Sequence, residues 1–129
     1  MHSFTCRVYY EDTDLAGIVY YANYLKFIER ARSEWVRELG LDQRALKAET
    51  GVVFAVRRVV ADYVAPARFD DLLEVATRVV EVRPARLVLD QRVQRGAAVL
   101  FTAEVTLVAL DAAGRPVRLP AALRAAPAP

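Results

Sequence analysis

The chain has 129 residues, 55% of them hydrophobic and 26% charged, the profile of one globular domain with enough length for a core. A formal net charge of +2 is too small to indicate a nucleic-acid partner, and the single cysteine, Cys6, excludes an internal disulfide. No apolar run approaches a membrane span and the amino terminus lacks the basic-then-apolar order of a secretory signal, so the cytoplasm is the expected location.

In chain order, Phe4, Cys6, Val8 and Tyr10 alternate with Thr5, Arg7 and Tyr9, which predicts a strand over Phe4–Tyr10 with one face buried. Cys6 is then a small buried hydrophobe. Asp12 and Asp14 follow in a turn, with Gly17 three residues beyond the second carboxylate. From about Asn23 to Leu39 the period changes. Tyr24, Phe27, Ile28, Ala31, Trp35 and Leu39 form one apolar stripe, and Lys26, Glu29, Arg30, Arg32, Glu34, Arg37 and Glu38 fill the opposite face. Arg30 and Glu34 are spaced to support the helix as a pair, and Gly40 supplies its stop. The turn therefore aims an acidic side chain at a helix amino end, where free backbone N–H groups favour negative charge. A base or nucleophile beside such a helix end is the minimum equipment for attacking a carbonyl.

Four β-type runs come next: Val52–Ala65, ended near Pro66; Leu72–Arg83 and Arg86–Arg95, joined by a hairpin at Pro84-Ala85; and Val99–Leu110, after a turn at Gly96. Asp111–Pro116 reads as a turn before Val117–Leu119, and the tail 121–129 as loose or briefly helical. The whole chain, 1–129, is then a single α+β domain in which one long helix lies across the concave face of a curved antiparallel sheet of about five strands. Val60, Val88, Leu100 and Val108 remain as apolar positions on the other face, which predicts burial against a second copy.

Asp-Thr-Asp-Leu-Ala-Gly-Ile-Val-Tyr-Tyr-Ala-Asn-Tyr, residues 12–24, resembles the signature of the 4-hydroxybenzoyl-CoA thioesterase family of hotdog-fold enzymes. Tyr-Tyr-Glu-Asp-Thr-Asp followed by Ile-Glu-Arg-Ala-Arg-Ser-Glu is similar to its Tol–Pal-associated acyl-CoA thioesterase branch. The likeness continues through Ala67–Leu72 and Arg115–Pro120, nearly the whole chain. It implies the hotdog fold, a homodimer or homotetramer with the site at the subunit interface, and hydrolysis of an acyl-CoA to free acid and coenzyme A without a separate cofactor. Acyl carrier protein is a further partner that it allows.

Carried over residue by residue, the resemblance makes Asp14 the catalytic carboxylate, acting either as nucleophile through a mixed anhydride or as general base for water. The backbone N–H of Tyr21 corresponds to the group that polarises the thioester carbonyl, and Gly17 to the residue that lets the turn approach substrate. Asp12 reads as a supporting carboxylate. Ile18, Val19 and Tyr20 fall in the same substrate-contacting motif; the side chains of Tyr20, Tyr21 and Tyr24 are pocket wall or core. Phe54, Ala55 and Val56 match the stretch that lines the acyl pocket in relatives. Arg83 and Arg86 sit in the turn where relatives place basic contacts to coenzyme A, whose phosphates suit arginine.

One departure matters. Many members of the Tol–Pal-associated branch carry His at the position of Tyr21, whereas the 4-hydroxybenzoyl branch carries Tyr, so any imidazole assistance is absent here. The only histidine, His2, excludes Ser-His-Asp and Cys-His machinery and argues against a His-based metal site. The alternative from another class is a hotdog subunit that binds acyl-CoA or acyl carrier protein without turnover.

Overall fold

A computed structural model describes residues 1–127; the last two residues of the expected tail, Ala128 and Pro129, lie outside the described residues. The elements are β1 (His2–Arg7), α1 (Asn23–Glu38), α2 (Gln43–Thr50), β2 (Val53–Tyr63), β3 (Leu72–Val82), β4 (Arg86–Arg95), β5 (Ala98–Leu110), β6 (Pro116–Val117) and α3 (Ala121–Arg124), with a 3-10 turn at Tyr10–Asp12. All strand pairs are antiparallel, in the order β1-β3-β4-β5-β2, with β6 added to β5. No helix among the described residues is long and apolar enough to cross a membrane.

The long helix forms where the stripe predicts it. Tyr24, Phe27, Ile28, Ala31 and Trp35 are buried, together with Val36, against Leu73, Val75, Leu87, Leu89, Val93, Phe101 and Val105 of the sheet. Leu39 closes the stripe half-buried, and Gly40 follows in the left-handed conformation (φ 85°) that a helix stop needs. Glu34 pairs with Arg37 instead of the expected Arg30. Fully burying a Leu, Val or Phe side chain contributes about 1.5–3 kcal/mol, so this stripe is what holds α1 on the sheet.

Two buried polar residues, Gln91 and Thr77, interrupt that interface. Gln91 is fully buried and donates through Nε2 to the Ile28 carbonyl (3.0 Å) and to Thr77 Oγ1 (2.9 Å), while its Oε1 accepts from Arg32 (3.0 Å). Its amide thus satisfies a carbonyl of α1 and a hydroxyl of β3 at once. Gln91→Ala would remove a partner from Thr77 Oγ1 and Arg32 Nη1 and leave a cavity behind. It is expected to lower stability by about 2–4 kcal/mol, measured by urea unfolding.

Three expectations need correction. The first strand ends at Arg7 and does not reach Tyr10, because Asp12 Oδ2 takes the Tyr9 N–H (2.8 Å) and winds the chain into the 3-10 turn. A second helix, α2, occupies the stretch between the long helix and β2, where only one helix was expected. Asp42 caps it by accepting from Ala45 N–H (3.1 Å), and Gly51 ends it at φ 74°, but no residue of α2 is buried, so no apolar stripe announced it. Of the two readings of the tail, the brief helix is the one that forms: α3 buries Leu123, and Arg124 Nε donates to the Leu119 carbonyl (2.9 Å).

The last correction concerns the apolar positions assigned to the far face. Val88 and Leu100 are only 7% and 1% exposed in the single chain, and Val108 is half-buried. That face instead carries Arg78, Asp90 and Arg92 as an ion-pair network. Val60 alone of the four is exposed, at 46%, and it lies on β2. The exposed apolar surface runs along that strand, through Val56, Val59, Val60, Tyr63 and Val64, broken by Arg57, Arg58 and Asp62. Among the described residues β2 bonds to β5 only, leaving its other side an open 11-residue edge.

Candidate active site

The segment between β1 and α1 is built from backbone bonds that leave two features free. Asp14 N–H donates to the Ile18 carbonyl (2.9 Å) and the Asp14 carbonyl accepts from Gly17 (3.0 Å), closing a tight loop. Gly17 makes the return at φ 78°, and a Cβ there would meet nothing within 4 Å, so glycine is needed for its conformation and not for space within the chain. Asp14 Oδ1 accepts from the Ala16 N–H (2.9 Å), which fixes the half-buried carboxylate. Its Oδ2 has no hydrogen-bond donor among the described residues.

The chain then returns beside Asp14 and enters α1. Tyr20 N–H donates to the Asp12 carbonyl (2.8 Å), and Asn23 Nδ2 reaches the same oxygen (2.9 Å) while its N–H caps the Tyr20 carbonyl (2.8 Å). Asp12 thus spends both its side chain and its carbonyl on holding the turn. α1 itself begins uncapped: Ala22 at the N-cap offers no side-chain acceptor, and its first turn has no acidic residue. The N–H groups of Tyr21 and Ala22 find no acceptor among the described residues. Oδ2 of Asp14 and these two N–H groups are thus left open at this corner.

The other predicted residues divide by position. Ile18 is half-buried and bridges to Arg68, whereas Val19 is buried in the core and donates its N–H to the Ala67 carbonyl (2.8 Å), so its side chain is unavailable to a ligand. Tyr20 and Tyr21 are exposed, Tyr21 at 60%, with ring centroids 4.9 Å apart. The Tyr21 phenol, aided by the nearby charge of Asp14, pushes the Tyr20 hydroxyl pKa up. Tyr24 is core, its ring stacked on Phe101 (5.0 Å) and its hydroxyl accepting from the Ala67 N–H (3.0 Å).

Phe54, Ala55 and Val56 are not brought to this corner within one chain. They begin β2, whereas Tyr63 at its other end is the residue bonded to Tyr21. Val56 and Tyr63 are thus separated by roughly 23 Å of strand. Arg83 and Arg86 lie at that same far end, since Arg86 and Ala55 are both opposite Val108 of β5. Both arginines share Glu81, at 2.5 and 3.6 Å, whose carboxyl they hold below its ordinary pKa. Among the described residues, no three His, Cys, Asp or Glu side chains are grouped to hold a metal ion.

Sequence reasoning missed Asn23 and Tyr63, which tie the turn to α1 and to β2, and the clamp of Asp71. The Asp71 carboxylate accepts from Arg68 N–H (2.9 Å) and Arg95 Nη1 (2.8 Å), fixing the loop that receives Val19. Partial burial pushes its pKa up, but these two donors outweigh that and hold it below the usual 3.8. A depressed folded value means that the stabilisation is present above the ordinary carboxylate range and is lost as pH falls through the folded value. Arg95→Ala is expected to cost at most about 1 kcal/mol at neutral pH for this largely solvated pair, and nothing once Asp71 is protonated; urea midpoints at the two pH values measure this.

Residues 8–126 match the family model described as the thioesterase-like superfamily. The chain is 43% identical over 125 residues to the acyl-CoA thioesterase YbgC of Haemophilus influenzae, spanning 96% of this chain and 92% of the relative. It is 47% identical over 106 residues to the acyl-CoA thioester hydrolase YbgC of Escherichia coli, 81% of this chain and 78% of the relative. Among solved structures, a probable thioesterase from Bartonella henselae superposes with a TM-score of 0.89 at 38% identity, covering 92% of this chain and 98% of that one. The long helix laid across an antiparallel sheet is thus the hotdog fold, and the chain belongs to the thioesterase-like superfamily, among relatives of the YbgC acyl-CoA thioesterases.

Proposed function

We propose that this protein hydrolyses acyl-CoA thioesters, with Asp14 as the reacting carboxylate and the start of α1 as the oxyanion site. The observation that carries this reading is the free Oδ2 of Asp14 beside an uncapped helix end whose Tyr21 and Ala22 N–H groups lack acceptors. Asp12, by contrast, spends its side chain and its carbonyl on holding the turn. The names of the relatives support the substrate class.

The chemistry follows from those groups. With the thioester oxygen against the Tyr21 N–H, the carbonyl carbon becomes more electrophilic, and the negative charge that develops on oxygen is met by fixed dipoles. Asp14 either takes a proton from water as the water attacks, or attacks itself to give a mixed anhydride that water then opens. Either route breaks the carbon–sulfur bond, releases coenzyme A as the thiol and leaves the acid.

The site is completed by a second copy. Pairing two β2 edges antiparallel would bring the Phe54–Val56 end of one chain, with its Arg83 and Arg86, toward the Tyr63–Asp14 end of the other. That places an apolar wall and two cations where an acyl chain and coenzyme A phosphates would lie. A dimer, or a tetramer built from dimers, is therefore the working unit.

Thiol release over a panel of short, long and aromatic acyl-CoAs, with acyl carrier protein thioesters alongside, tests the reading. Turnover of at least one acyl-CoA is expected. Binding across the panel with no thiol released would make the protein a carrier-type subunit and overturn it.

A further inference from the structure

The hydroxyl of Tyr63 donates to the Tyr21 carbonyl oxygen at 2.9 Å, joining residues 42 apart in sequence. Three rings place it there. Tyr63 packs edge-on against Phe101 (5.0 Å), Tyr24 (5.5 Å) and Tyr21 (6.2 Å). Phe101 is its direct cross-strand neighbour on β5, and Tyr24 is itself held by the Ala67 N–H. The phenol is thus aimed by core packing although the side chain is half-exposed.

The acceptor it has found matters more than the bond's strength. The Tyr21 carbonyl belongs to the peptide that carries the Ala22 N–H, and it adjoins the peptide that carries the Tyr21 N–H. In a trans peptide, C=O and N–H point in opposite directions, so fixing one fixes the other. On the helix side no other described residue does this, since Ala22 has no capping side chain. A carbonyl that accepts a hydrogen bond also makes its own N–H a better donor.

We propose that Tyr63 is a positioning residue whose hydroxyl holds the Tyr21–Ala22 peptide so that the Ala22 N–H faces the thioester oxygen beside the Tyr21 N–H, whose own peptide is held by the Asn23 N–H on the Tyr20 carbonyl. The proposal rests on the preceding reading, in which the start of α1 polarises that oxygen. Partial burial, then the neighbouring Tyr21 and Tyr24, push the Tyr63 hydroxyl pKa above its ordinary value, so it keeps the proton it donates throughout the neutral range.

Tyr63→Phe keeps the ring stack and removes only the donor. The expected result is a fall in kcat for thiol release of roughly ten- to a hundredfold, less than for losing an oxyanion donor outright, with KM changed less than about threefold. In the ligand-free protein, the carbonyl 13C resonance of Tyr21 and the amide resonance of Ala22 should both move. A kcat within twofold of wild type, a loss confined to KM, or an unmoved Tyr21 carbonyl resonance would each overturn the proposal. Should the substitution lower the oligomeric mass, the carbonyl resonance decides, moved for the proposal and unmoved against it. Asp14→Asn run alongside separates the two readings. Loss in Asp14→Asn with wild-type kcat in Tyr63→Phe overturns only the Tyr63 role, whereas full activity in Asp14→Asn removes the oxyanion reading and the Tyr63 role with it.

Discussion

Asp14→Asn is expected to lower kcat for thioester hydrolysis by about a thousandfold or more, while leaving the fold intact. General-base assistance alone is worth about 10²–10⁴, and a nucleophilic role more, so the size of the loss also bears on which route operates. The fold should survive because the one bond of the Asp14 side chain among the described residues, from the Ala16 N–H to Oδ1, can be accepted equally by an asparagine oxygen. Asp12→Asn is the matched control. Its Oδ2 accepts only the Tyr9 N–H, a bond an amide oxygen also makes, so its kcat should fall less than about tenfold. Comparable losses in the two variants would mean that the turn's charge, and not Asp14, drives the reaction.

The second large effect is expected at the open edge. Val59→Lys combined with Val60→Lys puts a cation on each face of β2, at positions already exposed in the single chain. Val60 lies across from Glu104 in the strand pair, so the new lysine there gains a favourable neighbour within its own chain. The monomer should therefore fold normally. Between two paired edges, however, the charges would be desolvated, and a penalty of about 3–5 kcal/mol weakens association by roughly 10²–10⁴. Light scattering should show monomers at micromolar concentration, and thiol release should fall with the dimer, because the Phe54–Val56 and Arg83–Arg86 end then no longer reaches Asp14. A dimer that persists in this variant, or a fully active monomer, contradicts the composite site.

What was legible in the sequence follows from whether the relevant physics is local. The stripe from Tyr24 to Trp35, the stop at Gly40 and the hairpin at Pro84-Ala85 each depend on neighbours within a few residues, and each stands in the structure. α2 was hidden because it buries nothing, even though Asp42 and Gly51 bracket it with cap residues. Strand order was hidden because β2 pairs with β5 across two intervening strands. That pairing is what turns Val53–Tyr63 into an edge, while Leu100 joins the core at a bulge in the β4–β5 ladder. At the site, the turn's own motif pointed to Asp14, Gly17 and the Tyr21 amide. Tyr63 and the Asp71–Arg95 clamp are long-range contacts with no local signature. The placement of Phe54, Ala55, Val56, Arg83 and Arg86 far from Asp14 was equally invisible, since only the sheet register reveals which strand end each occupies.

The most direct measurement is steady-state thiol release from the acyl-CoA panel by wild type and Asp14→Asn side by side, with circular dichroism and light scattering confirming that both are folded and equally associated. The account predicts turnover by wild type that falls by about three orders of magnitude in Asp14→Asn. Equal rates from the two proteins, whether high or near zero across the whole panel, would contradict it.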